Sequence, residues 1–126
     1  LSHSTTDTQI GEVKVAENAV KNGVFVIANG YVQGDEASAN TGTIRLRSGT
    51  SSSGTVDNTT RISITRVTPD GFAPDGHPKQ GWSIAWRLTS EETWSSGTVY
   101  LNITGENSGA SPNRECSCES MVVFGW

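Results

Sequence analysis

Trp82, Ile84, Trp86 and Leu88 take every second position of one stretch, with Ser83, Ala85 and Arg87 between them. A period of two is the pattern of a β-strand with one buried face. The same pattern recurs along the chain. Val13 and Val15 share a face within residues 12–16. Ile44 and Leu46 point one way, with Arg45 and Arg47 the other; Ile62 and Ile64 repeat the arrangement within 61–65. Val99, Leu101 and Ile103 face inward with Tyr100 and Asn102 outward, and Met121-Val-Val-Phe124 makes a last strand. Val24 to Ala28 is a denser apolar run that passes a kink at Gly30 into Tyr31–Gln33. Such a run suits a central strand covered on both faces. The pattern predicts a core containing Ile62, Ile64, Trp82, Ile84, Trp86, Val99, Leu101 and Ile103.

Turn signals separate these runs: Lys21-Asn-Gly23, Gly34-Asp35, Ser48-Gly49, Ser53-Gly54, Pro69-Asp-Gly71, Pro74-Asp-Gly76, Ser96-Gly97 and the stretch from Gly105 to Pro112. Seven or eight short strands so spaced predict an all-β fold, an antiparallel β-sandwich, jelly roll or small β-barrel. Little helix is expected, at most one turn between Val15 and Val20. Residues 1–9 are polar and aperiodic and read as an N-terminal arm, with 10–126 as a single β-domain. The chain opens on Leu1 rather than Met, as a fragment or a processed product does.

Composition narrows the function classes. An apolar fraction of 33% with abundant Ser, Thr, Gly and Asn fits strands with polar outer faces. The net charge of −4, with no block of Lys or Arg, argues against a nucleic-acid partner. No apolar run is long enough for a membrane-spanning helix. Asn58-Thr-Thr60 and Asn102-Ile-Thr104 fit the glycosylation sequon, a weak signal in a Thr-rich chain. Cys116 and Cys118 leave three states open: free thiols, a strained bridge across one residue, or bridges to another chain. Two cysteines do not complete a metal site, and neither a metal nor another cofactor is expected.

Candidate chemistry is sparse. Trp94 sits in the polar stretch 91–96 and is a candidate contact residue, because an exposed indole stacks on sugars and small apolar ligands. The segment 68–81 holds three of the four prolines and carries Phe72, Asp75 and His77. It reads as two stiff Pro-Asp-Gly turns that present a contact surface. With Trp94 and Tyr100 these residues form the candidate ligand-binding set. Catalysis is not expected. Glu91 and Glu92 are adjacent and point apart in extended chain, and the two histidines, His3 and His77, lie in the polar tail and in a loop.

The stretch Gly81-Trp-Ser-Ile-Ala-Trp86-Arg, followed by Thr93-Trp-Ser95, locally resembles the Trp-rich strand pair of the biotin-binding avidins. The opening Gly-Thr-Trp strand of that family is absent. Thr43-Ile-Arg-Leu46 stands where its polar ligand-holding residues would be. The resemblance implies β architecture and, with those residues missing, lends little support to a biotin site.

The expected function is that of a non-enzymatic structural module, such as a capsid decoration, a virion tail component or an extracellular filament subunit. Its partners would be copies of itself or other structural subunits, placing it outside the cell or on a virion surface. Leu1, Ile10, Phe124 and Trp126 are the expected assembly residues, because arms and apolar terminal strands join β-domains to neighbours. The alternative is a secreted lectin-like domain that binds a glycan through Trp94 and the 68–81 loop.

Overall fold

The computed structural model describes residues 2, 4–34, 39–52, 57–69, 77–109 and 114–126. It contains seven strands: β1 (Thr8–Val15), β2 (Val24–Gln33), β3 (Thr41–Gly49), β4 (Thr59–Val67), β5 (Lys79–Leu88), β6 (Val99–Asn107) and β7 (Glu115–Gly125). They form two antiparallel sheets, ordered β1-β6-β3-β4 and β5-β2-β7, that pack as a small β-sandwich. Every connection except the β3–β4 hairpin crosses from one sheet to the other. Among the described residues there is no helix; the turn considered at 15–20 is closed by Ala19 N–H donating to the Ala16 carbonyl. The 16–23 and 89–98 connections gather at one end of the sandwich with the end of β3, the start of β4 and Trp126. The end of β2, the start of β3, the end of β4, the start of β5, the end of β6 and the start of β7 lie at the other.

The core lies between the sheets. Val24, Val26, Ala28 and Val32 of β2 face Ile44, Leu46, Leu101 and Ile103, all fully buried. Each aliphatic side chain so removed from water contributes roughly 1.5–3 kcal/mol. Trp82, Ile84, Val99, Leu101 and Ile103 lie in this core as their alternation predicts. Trp86 does not: it is 37% exposed, and Ile62 and Ile64 are half-buried. The cause is lateral position. β4 and β5 are edge strands, so an inward side chain there is covered from one side only. Trp82 escapes this by leaning across Gly30 toward β7, where its Nε1–H donates to the Ser117 carbonyl at 3.0 Å.

Gly30 does not break β2, which runs straight through it. The irregularity lies opposite, where Asn29 pairs with Ser120 and Gly30 with Cys118, so that Glu119 bulges from β7. Cys116 and Cys118 then share the inward face and are free thiols. Burial pushes the Cys116 thiol up to about 12.

The segment read as an arm lies, in its described residues, against its own domain. Ser2 and Cys116 exchange two backbone hydrogen bonds of 2.8 Å, and the Ser4 carbonyl accepts from Asn107 N–H. Thr8 and Gln9 already belong to β1.

Candidate interaction face

The sandwich has two outward faces, and they are finished differently. On the four-stranded sheet, Asn102 and Thr104 point outward yet are fully buried. Polar side chains from neighbouring strands roof them over. Asn58 Nδ2 donates to Asn102 Oδ1 at 2.6 Å, and Asn102 Nδ2 donates to Gln9 Oε1 and Glu12 Oε2, both at 3.0 Å. Arg47 donates to Asp7 at 2.6 Å, to Thr104 Oγ1 at 3.2 Å and to the Asn58 carbonyl at 3.1 Å. Arg45 pairs with Glu106 at 2.7 Å and with Asp7 at 3.3 Å. The charges of Asp7, Arg45, Arg47 and Glu106 are thus spent on one another. Both sequon asparagines are locked inside the network, bonded to each other, so neither amide is open to modification in the folded protein.

The outward face of β5-β2-β7 is the opposite case. Phe25, Ile27, Val122 and Phe124 are exposed at 36%, 40%, 44% and 57%. Register makes them one patch: Phe25 pairs with Phe124 and Ile27 with Val122 across β2 and β7. Trp126 extends it, 43% exposed, with the Arg87 guanidinium 4.9 Å over its ring. The backbone beneath is fixed, because the Trp126 carbonyl accepts from the N–H groups of Lys21, Asn22 and Gly23. Ala85 and Arg87 flank the patch on β5. Further along, the face turns polar through Asn29, Ser83 and Ser120 to Tyr31, which donates to Glu115 and carries Lys79 Nζ 4.3 Å over its ring. Burial, and then the Glu115 carboxylate, raise the Tyr31 hydroxyl above its ordinary value. β2 is therefore central but covered on one face only, contrary to the expectation from its dense apolar run.

The expected ligand-binding set is not gathered in one place. Trp94 is buried at 6% exposure, and its Nε1–H is satisfied by the Thr89 carbonyl at 2.8 Å. It is a loop anchor, not an exposed contact, because the polar stretch around it folds back over the sandwich end. Tyr100 is half-buried with Lys14 Nζ 5.8 Å from its ring. His77 is exposed at the opposite end from Trp94. Phe72, Asp75 and Leu1 lie outside the described residues. Of the other assembly residues, Ile10 packs against the core at a β1 bulge, while Phe124 and Trp126 sit together on the open patch. Phe25, Ile27 and Val122 were missed as site residues. Their signal was the presence of apolar residues at both parities of the 24–28 and 121–124 runs.

Two depressions open at the Trp94 end. One, of about 280 Å³, is lined by Ser48, Asp57, Asn58, Arg61, Glu91 and Glu92. Arg61 there donates to Ser48 Oγ at 2.7 Å and to Glu92 at 3.3 Å, so its charge is held by its own neighbours. The Thr89 N–H donates to Glu91 and holds that carboxyl below its ordinary value. The other, of about 490 Å³, is lined by Asn18, Val20, Lys21, Trp94 and Ser95. In the first, the Ser48 hydroxyl donates to Glu92 at 3.4 Å, but Ser48 is fully buried and already accepts from Arg61. Among the described residues no group of three His, Cys, Asp or Glu side chains is placed to hold a metal ion, and no helix is long and apolar enough to cross a membrane.

The chain matches no family model, no curated protein and no solved structure.

Proposed function

We propose that this chain is a non-enzymatic structural module that assembles through the outer face of β5-β2-β7. It is of the kind that decorates a capsid or virion tail, or builds an extracellular filament. The observation that supports this reading is the contrast between the two faces. One outward face buries its own polar groups in a closed network; the other leaves two phenylalanines, a tryptophan and two aliphatic side chains in water. Exposed apolar surface gathered in one patch on an ordered sheet is the mark of a contact surface. The lectin-like alternative has less support, since Trp94 is spent within the fold and lies at the opposite end from Thr68 and His77.

The test is association under native conditions. Phe124→Asp and Ile27→Asp place a charge in the patch without touching the core, so both are expected to fold, by circular dichroism, and to lose association measured by light scattering. A wild-type chain that binds immobilised glycans and associates with nothing would replace this reading with the lectin one.

A further inference from the structure

The geometry points to a second copy of this chain as the partner, packed face to face over β5-β2-β7 about a two-fold axis parallel to β2. This rests on the assembly reading and gives it an occupant and a register.

Three observations carry it. The first is size. Phe25, Ile27, Val122, Phe124 and Trp126 together expose on the order of 400 Å² of apolar surface. With the small and polar residues around them, that is the centre of an interface burying about 800 Å² per partner, the standard for a stable complex. The second is the absence of a charge barrier. The chain carries a net charge of −4, yet among the described residues register sets Arg87 beside the patch, where it already lies over Trp126, and Glu119 stands farther along at the β7 bulge. Two copies can therefore approach here without meeting like charge.

The third is self-complementarity. Lys79 on β5 and Glu115 on β7 stand at the same level, both opposite Gln33, on the two flanks of one face. A two-fold axis along β2 lays β5 of one copy over β7 of the other. Lys79 then faces the second copy's Glu115, twice per dimer, while Arg87 faces the second copy's Phe124. The rival mode, pairing through the β7 edge, is open in principle because residues 120–125 carry no charge whereas β1, β4 and β5 all do. Edge pairing would leave Phe25 and Ile27 in water; face packing covers them.

Sedimentation equilibrium of the full chain over a wide concentration range tests this. The wild type should run as a dimer. Phe124→Asp and Ile27→Asp should each weaken dimerisation about 30-fold or more, as for a central contact residue. Lys79→Glu and Glu115→Lys should each weaken it by about tenfold, since each creates two like-charge contacts. Mixing the two charge variants should restore association, because both cross-copy pairs are then opposite in sign. Unmixed Lys79→Glu keeps the Tyr31–Glu115 hydrogen bond in both copies, so its weakening separates the charge effect from the loss of that bond in Glu115→Lys.

A wild-type monomer at every concentration overturns the second copy as partner; if it also binds glycans, the assembly reading falls with it. A dimer untouched by Phe124→Asp and Ile27→Asp overturns this face, and with it the assembly reading as placed on β5-β2-β7. A dimer broken by those variants but not restored in the mixture overturns the register of β5 over β7.

Discussion

At Gly30 a single methyl group has nowhere to go. A Cβ there would run into the Ser117 carbonyl and lie 2.9 Å from Trp82 Cε2, the ring that crosses over this position. Gly30→Ala should therefore destabilise the fold by about 1–3 kcal/mol, the range for overpacking a filled site, read from the denaturant midpoint. Trp82→Ala should cost about 3–5 kcal/mol, as for emptying a buried aromatic site, and half-exposed Trp86 should cost clearly less in the same assay. Cys116 offers a pH test. Burial raises its thiol from 9.0 to about 12, so the unfolded chain gives up this proton before the folded one does. Its contribution is complete below pH 9.0 and is lost as pH rises toward about 12. Stability followed by urea melts should fall through that window, and Cys116→Ala should flatten the fall. In the native state at pH 8 the same thiol should resist a disulfide reagent that titrates it promptly in denaturant.

Among the elements, β1 depends on what precedes it. Asp7 is the hub on which Arg45 and Arg47 converge, with its side chain 13% exposed. Asp7→Asn leaves two largely covered guanidinium groups without their shared carboxylate and should cost about 2–3 kcal/mol, between the values for surface and buried pairs. Deleting residues 1–9 removes Asp7, the Ser2–Cys116 pairing and the first turnings of β1 at once. The truncated chain should unfold at a lower denaturant midpoint. The sequence made strand parity legible almost throughout: Ile44 against Arg45, and Leu101 against Asn102, face as alternation requires. It did not reveal that Asn102, pointing outward, would be wholly buried, because its cover comes from Asn58, Gln9 and Glu12 on other segments. Nor did alternation separate Trp82 from Trp86, which differ in what lies beside an edge strand. For the candidate site, Phe124 and Trp126 were legible as an apolar terminus. Phe25 and Ile27 were not, because a strand apolar at both parities reads the same whether its second cover comes from its own chain or from another.

For the molecule as a whole, all seven strands are used in closing one core, and among the described residues none is left to lie over Phe25, Ile27, Val122 and Phe124. The same connectivity sets the pace of folding. With every link but β3–β4 crossing between sheets, most contacts join distant positions. Refolding monitored by tryptophan fluorescence should take milliseconds to seconds rather than microseconds. That pace matters for one hydrogen bond. Asn58 and Asn102 lie 44 positions apart and meet only once the β3–β4 hairpin has docked on β6. Until then each is an accessible acceptor in any secretory host that glycosylates Asn-X-Thr. The bond acts as a deadline. Chains that pair first hide both amides for good, whereas chains that receive a sugar first carry it where the sheet has no room and cannot complete β6. Mass spectrometry should accordingly find the folded, secreted fraction unmodified at both positions and the sugar-bearing chains confined to the misfolded fraction.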